Sequence, residues 1–269
     1  MAKKLLKKLA DGKRVYGTCI TSTAPLWIKA VRSARLDFVF LDTEHVPLER
    51  MEVAALCQLY GAAGIAPVVR IPSPDPIRAC QMLDAGAEGI LAPYIENVEQ
   101  VREMVGAIKY RPLKGERLKQ LLNNSGSVEP ELKDYLANYN RGNICMLNIE
   151  SVPAFEKLDD LLDVEGVDAV FIGPHDLSLS LRIPEQYDHP KFEEVVKLIV
   201  HKCRSKNKAV GIHFSDHPGR QTKWITEGVN FIIYSSDIML LTQKLSDDFN
   251  IIRESAGDKP DDVSEAFVV

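Results

Sequence analysis

Eight short runs of β-branched and aromatic residues alternate with longer helical stretches from residue 15 to residue 250, and no other feature of the chain narrows its fold as far. A strand, a helix and another strand of the same kind, repeated, is what a parallel sheet with crossover helices requires. The strand candidates are 15–19, 38–41, 67–71, 89–92, 144–149, 169–172, 209–213 and 231–234, several of them apolar throughout. Continuous apolar runs of that length are the mark of strands buried on both faces. Helical candidates fill the intervals at 25–35, 48–61, 76–85, 98–108, 155–162, 191–206 and 219–228. Eight such units predict an α/β fold of the (β/α)8 TIM-barrel type, and 269 residues suit that barrel as a single domain. We assign residues 1–254 to the barrel and 255–269 to a tail, acidic up to a final A-F-V-V, that frays or docks on a neighbouring subunit. Residues 110–141 break the rhythm with R-P-L-K-G, N-N-S-G-S-V-E-P and a weak helix. They read as a long βα connection after strand four, the kind of loop that carries function at a barrel mouth.

Composition excludes several classes of partner. Lys and Arg number 33 against 38 Asp and Glu, a net charge of −5, with no basic block beyond the first residues, so no nucleic-acid partner is expected. Cys19, Cys57, Cys80, Cys145 and Cys203 are odd in number, scattered and without a C-x-x-C. That usage argues against a disulfide framework and a thiolate zinc site, and for a reducing cytoplasmic compartment. The first residues carry Lys3, Lys4, Lys7 and Lys8 with only Leu5, Leu6 and Leu9 between them, which is no signal-peptide core. The longest uncharged run, 53–69, contains Gln58, Gly61, Gly64 and Pro67 and reads as helix, turn and strand, so no membrane association is expected.

In a barrel of this type the polar residues at strand C-termini converge on one face. Strand two ends in Asp42-Thr43-Glu44-His45, strand three in Arg70, strand five in Asn148-Ile149-Glu150, strand six in Gly173-Pro174-His175-Asp176, strand seven in His213 and strand eight in Ser235-Ser236-Asp237. Glu150 and Asp176 end adjacent strands and bring together two hard carboxylates, the ligand type of Mg²⁺ or Mn²⁺ with waters retained. The alternative for Glu150 is a structural salt bridge with Arg70. Asp42 and His45 lie close enough on one turn for the carboxylate to orient the imidazole as a general base. Amides of the turn at Gly173, leading into a helix over 176–181, would face an anion such as a carboxylate. Asp237 reads as a helix N-cap. His213 and His217 are four apart but straddle a strand end and a turn, which does not suit a shared zinc. No lysine closes a strand, so a Schiff-base mechanism has no candidate, and dinucleotide and triphosphate fingerprints are absent.

Taken together, L-D-T-E-H (41–45), V-V-R-I-P (68–72), L-D-A-G-A-E-G-I-L-A-P (83–93), N-I-E-S (148–151) and G-P-H-D-L-S (173–178) resemble the HpcH/HpaI aldolase family in order and spacing. The resemblance implies a class II aldolase that reversibly cleaves a 4-hydroxy-2-oxo acid to pyruvate, or a close 2-oxo acid, and an aldehyde. It implies Mg²⁺, Mn²⁺ or Co²⁺ bound through Glu150 and Asp176, with His45, Arg70 and Asp42 as the catalytic set. It also implies a homo-oligomer, a hexamer of dimers that exchange the last barrel helix. In such an enzyme Arg70 stabilises charge on the 2-oxo oxygen, His45 moves the C4 hydroxyl proton, and amides near Gly173 and His175 hold the pyruvate carboxylate. Asn148 stands where the family usually has a glutamine, one methylene longer, and is carried over with Arg70, Gly173 and His175 as substrate-binding; the family's G-x-R-G reads Gly115-Glu116-Arg117-Leu118 in a loop expected to border the aldehyde subsite. Two alternatives use the same residues: an oxaloacetate decarboxylase, which would need the metal and Arg70 but not His45, and a catalytically silent carboxylate-binding barrel.

Overall fold

The computed structural model describes residues 4–123 and 129–258. Eight parallel strands run in sequence order: β1 (Val15–Cys19), β2 (Phe38–Asp42), β3 (Ala66–Arg70), β4 (Gly89–Ala92), β5 (Ile144–Ile149), β6 (Ala169–Ile172), β7 (Ala209–Phe214) and β8 (Phe231–Ser236). Pairing of β1 with β8 closes them into a barrel. The first helix, α1 (Lys4–Ala10), precedes β1, and α2 (Trp27–Ser33), α3 (Arg50–Ala62), α4 (Pro76–Ala85) and α5 (Val98–Lys109) follow β1 to β4. Then come α6 (Gly115–Leu122) and α7 (Pro130–Tyr139) before β5, and α8 (Val152–Glu156) and α9 (Leu158–Leu162) after it. The chain continues with α10 (Pro174–Ser180) and α11 (Pro190–Ser205) between β6 and β7, α12 (Pro218–Glu227) after β7, and α13 (Asp237–Ala256) after β8.

Strand alternation builds two cores. Phe38, Phe40, Ala66, Val68, Leu91, Ile144, Met146, Ala169, Phe171, Ala209, Phe231 and Ile233 point inward and fill the barrel, while their neighbours, such as Val39, Val69, Ile90, Leu147, Val170 and Ile212, pack outward on the helices. Inside, the rings of Phe38 and Phe231 stack with centroids 4.4 Å apart. Gly17 makes room for this stack, since a Cβ there would come within 2.4 Å of the Phe38 ring. Leu5 and Leu9 of α1 join the same cluster, so the N-terminal end of the barrel is plugged and its contents open only on the strand C-termini.

Several expectations need correction. The stretch 110–141 is not a βα connection at the mouth: it leaves the C-terminus of α5 and enters the N-terminus of β5, and so both ends of it lie at the barrel end opposite the strand C-termini. Its described residues hold two helices, α6 and α7, with α6 laid against α5 where the Leu122 side chain covers Gly106. The residues of N-N-S-G-S from 124 onward lie outside the described residues. The helix expected at 155–162 is two short helices broken at Lys157, the first starting earlier on a Ser151 cap and Pro153. The short helix after β6 begins at Pro174, because proline opens a helix without needing its missing N–H. α13 runs past the expected end of the barrel to Ala256, and the tail from 259 lies outside the described residues. All five cysteines are free, and no described helix is long and apolar enough to cross a membrane.

Candidate active site

The period-two alternation that fills the barrel carries on to its rim. Counting inward positions from Phe38 and Phe40 reaches Asp42; from Ala66 and Val68, Arg70; from Ile144 and Met146, Asn148; from Ala169 and Phe171, Gly173; from Ala209, His213; and from Phe231 and Ile233, Ser235. The mouth layer of the barrel interior, drawn from strands staggered in register, therefore holds an acid, a guanidinium, an amide, a glycine, an imidazole and a hydroxyl.

Arg70 is the best-fixed group of this layer. Its Nε donates to Asp42 Oδ1 at 2.9 Å and its Nη2 to Asp42 Oδ2 at 2.5 Å. Its Nε also lies 3.2 Å from Glu44 Oε2, and the guanidinium sits over the Phe40 ring, 5.6 Å from the centroid. Burial alone would push the Asp42 carboxyl up, but the hydrogen bonds and charge of Arg70 outweigh it and hold the group below the usual carboxylate range. Asp42 also accepts from the amides of Glu44 at 3.0 Å and His45 at 3.4 Å, which folds the turn after β2. The imidazole of His45 takes no such bond. It stands 63% exposed at the rim, with Nε2 3.9 Å from Glu44 Oε2. Asp42 thus orients Arg70 and the backbone leading to His45, not the His45 ring as the sequence suggested.

Glu150 follows β5 and is 8% exposed. Its pKa is pushed up to about 7, first by burial and then by the charges of Asp176 and Glu44, against the opposing amide of Tyr94. That amide donates to Glu150 Oε1 at 2.6 Å, and Asn148 Nδ2 donates to Oε2. Asn148 is fully buried, and its Oδ1 has no partner among the described residues. Gly173 faces this pair closely: a Cβ there would lie 3.0 Å from Glu150 Cβ and 3.3 Å from Oε2. Arg70 senses Glu150 only as a longer-range charge, so the structural salt bridge between them does not form. Asp176 lies exposed in the first turn of α10. The Gly173 N–H is already given to Ile149 O at 3.2 Å, which removes it as a carboxylate donor and leaves the first-turn amides of His175 and Asp176. The His175 ring is exposed, with Nδ1 3.4 Å from Glu185 Oε1.

Among the described residues no three His, Cys, Asp or Glu side chains cluster as a closed metal cage. What is present fits a hard cation that retains its waters: two carboxylates that repel each other, one of them buried, beside an unpartnered amide oxygen. Sequence reasoning passed over Glu44 as a second carboxylate on Arg70, and over Tyr94, whose phenol the neighbouring Glu44 carboxylate pushes up to about 12. Tyr94 has φ 53°, a backbone state that no local signal announces in a tyrosine. The inward position of His213 was legible by counting from Ala209. Asp237 is not the N-cap: Ser236 caps α13, and the Asp237 carboxylate accepts from Thr21 N (3.0 Å), Thr21 Oγ1 (2.7 Å) and Ser22 N (3.0 Å), tying down the turn after β1. His217 caps α12 by accepting from Gly219 N at 3.0 Å, so it is not paired with His213.

Residues 16–243 match the sequence profile described as HpcH/HpaI aldolase/citrate lyase. The chain belongs to this family. A Salmonella gallinarum relative named 2-keto-3-deoxy-L-rhamnonate aldolase is 31% identical over 237 residues, 88% of each chain. The crystal structure of an HpcH/HpaI aldolase from Desulfitobacterium hafniense DCB-2 superposes with TM-score 0.82 at 29% identity, covering 95% of this chain and 99% of that one. Citrate synthase SbnG superposes with TM-score 0.80 at 29% identity, covering 94% and 99%. As a member of the HpcH/HpaI family the protein is a carbon–carbon lyase of aldolase type.

Proposed function

We propose that the protein reversibly cleaves a 4-hydroxy-2-oxo acid into pyruvate, or a close 2-oxo acid, and an aldehyde, with Mg²⁺, Mn²⁺ or Co²⁺ held by Glu150 and Asp176. The observation that carries this reading is the state of Glu150: a buried carboxylate pushed up to about 7 beside the unpartnered Asn148 oxygen, an arrangement that a divalent cation relieves. Such a cation supplies Lewis-acid stabilisation of charge at the 2-oxo oxygen. Arg70, clamped by Asp42 and Glu44, keeps Nη1 without a protein acceptor among the described residues and can donate from a fixed position to the same developing charge. The amides of His175 and Asp176 hold the substrate carboxylate at the start of α10, and Asn148 orients Glu150. His45, at the open rim, takes the C4 hydroxyl proton directly or through water as the C3–C4 bond breaks, and returns it in the synthetic direction. The 2-keto-3-deoxy sugar acid named for the Salmonella relative is one compound of this class.

The decarboxylase reading is favoured by one observation: the His45 ring is not held by Asp42, while Arg70 is held twice. Both activities draw on one stabilised charge, and His45 is what separates them. The deciding measurement is pyruvate release from 4-hydroxy-2-oxo acids and, separately, from oxaloacetate by EDTA-stripped protein with and without Mg²⁺, Mn²⁺ or Co²⁺. Metal-dependent release supports the aldolase; release from oxaloacetate alone supports the decarboxylase.

We also propose that the protein works as a homo-oligomer in the cytoplasm. On α13 the side chains of Ile238, Leu241, Leu245, Phe249 and Ile252 recur at helical spacing and are all exposed, an apolar stripe that a second copy would cover. The free cysteines suit a reducing compartment.

A further inference from the structure

The barrel interior holds one imidazole that the reaction above does not use. His213 is the last inward residue of β7, one step beyond the pairing of Ile172 with Ile212, and so it stands beside Gly173. Its Nε2 lies 3.2 Å from the carbonyl oxygen of Ser235. A carbonyl only accepts, so Nε2 carries the proton and Nδ1 keeps its lone pair. The acceptor is itself fixed: Ser235 has φ 54°, and its carbonyl also receives Thr18 Oγ1 at 3.2 Å. Among the described residues no group donates to Nδ1. Burial keeps the ring neutral, its pKa lowered to about 4, so Nδ1 is an acceptor across the working pH range.

The surroundings say what this acceptor faces. The His213 ring meets the edge of Phe40, centroids 6.5 Å apart, and Arg70 lies over the same Phe40 ring. Gly173 adds no side chain between His213 and the Asn148–Glu150 pair. Leu5 and Leu9 close the far end of the barrel, so the partly exposed ring opens on the mouth and forms part of its floor. His45 is at the rim. On the aldolase reading, an aldehyde would enter and leave past the rim and the 2-oxo acid would take the deep end beside Arg70 and Glu150, so that C3 would bond on the rim side and turn a remaining substituent to the His213 floor.

We propose that His213 makes the protein select a 2-oxo acid bearing a hydroxyl on C3, which donates to Nδ1, over one with a plain methyl group there. This rests on the aldolase reading and names its donor substrate. A methyl group would cover Nδ1 without giving it a donor, whereas a hydroxyl would satisfy it, and a site whose acceptor is desolvated only by the bound acid disfavours the analogue that lacks the donor.

The test is calorimetric binding of pyruvate and of 3-hydroxypyruvate to the full-length Mn²⁺-loaded protein without aldehyde, for wild type, His213→Leu and His213→Gln. Wild type is expected to bind 3-hydroxypyruvate about tenfold more tightly than pyruvate, one hydrogen bond's worth of preference. His213→Leu is expected to abolish that ratio, and His213→Gln, whose side-chain oxygen also accepts, to retain most of it. A wild-type protein that binds pyruvate as tightly as 3-hydroxypyruvate overturns the proposal, whether or not the leucine variant folds. A ratio unchanged in His213→Leu overturns it as well, and leaves the aldolase reading standing. Failure of both acids to bind the loaded wild type overturns both.

Discussion

The Nε of Arg70 donates to Oδ1 of Asp42 over 2.9 Å, joining the last residue of β3 to the last residue of β2 across one ladder of the barrel. The two residues are register partners, so the sheet itself sets their spacing before any side chain is placed. A fork-shaped donor fits this arrangement, since two nitrogens engage the carboxylate while the rest of the guanidinium faces the site. Arg70→Lys keeps the charge but loses the fork. We expect kcat to fall by about 10²–10³, the cost of removing one preorganised donor from developing charge. Mn²⁺ affinity, read by calorimetry, should stay within a few-fold of wild type, because Arg70 reaches Glu150 only through longer-range charge.

The raised pKa of Glu150 makes a pH prediction whose sign is fixed. Its carboxyl titrates near 4.5 in the unfolded chain and near 7 in the fold. The folded protein holds this proton more tightly, so the contribution to stability is complete below pH 4.5 and is lost as pH rises through 7. A tenfold difference in proton affinity between fold and unfolded chain corresponds to about 1.4 kcal/mol, so the metal-free protein should lose a few kcal/mol from this group across that window. Glu150→Gln, neutral at every pH, should flatten that part of the profile and raise the metal-free melting temperature at pH 8. The same variant should bind Mn²⁺ far more weakly. In wild type, Mn²⁺ affinity should drop about tenfold per pH unit below 7, because binding expels the proton. A metal-free stability curve identical in wild type and Glu150→Gln would refute the assignment.

His45 separates the two chemistries that share the site. His45→Ala should lower aldol cleavage by about 10²–10⁴, the usual contribution of a positioned proton-transfer group. Oxaloacetate decarboxylation has no C4 hydroxyl proton to move and should change less than about threefold. The ring is 63% exposed and makes no hydrogen bond to Asp42, so the substitution should leave the melting temperature nearly unchanged. Equal losses in both activities would mean that His45 serves binding and not proton transfer.

Much of this site could be read before the structure because a barrel converts strand ends into neighbours. Asp42, Arg70, Asn148 and Glu150 were placed by the rule that strand C-termini share a face, with no knowledge of any contact. The partner of Asp42 was misjudged because sequence distance favours His45, three residues away, whereas the sheet register favours Arg70, which is 28 residues away. The Gly173 amide was misjudged for a related reason: a turn before a helix looks free in sequence, yet the β5–β6 ladder had one more bond to make, to Ile149. The stretch 110–141 was put at the wrong end of the barrel because helix α5 and the irregular segment were counted as one connection. The contact of Tyr94 with Glu150 left no trace, since it comes from a backbone amide at a positive φ, which residue type does not encode.

Gly173 offers a test of how tightly the proposed metal site is built. Alanine there would place a Cβ 3.0 Å from Glu150 Cβ, 3.3 Å from its Oε2 and 3.5 Å from Asn148 Nδ2. These separations demand that Glu150 or Asn148 give way by a few tenths of an ångström. Both belong to the Glu150–Asn148 hydrogen bond, and neither is the loose end of a surface chain. We therefore expect Gly173→Ala to lower Mn²⁺ affinity by about 10–100-fold, as disturbance of groups that orient a ligand does. Its cost in stability should be modest, about 0.5–3 kcal/mol. Gly61→Ala is the matched control: it lies within α3, and a Cβ there meets nothing within 4 Å. That variant should be neutral or gain up to about 1 kcal/mol from helix propensity, with Mn²⁺ affinity unchanged. If both variants bind Mn²⁺ as wild type does, Glu150 tolerates displacement, and the closeness of Gly173 to it has no part in holding the metal.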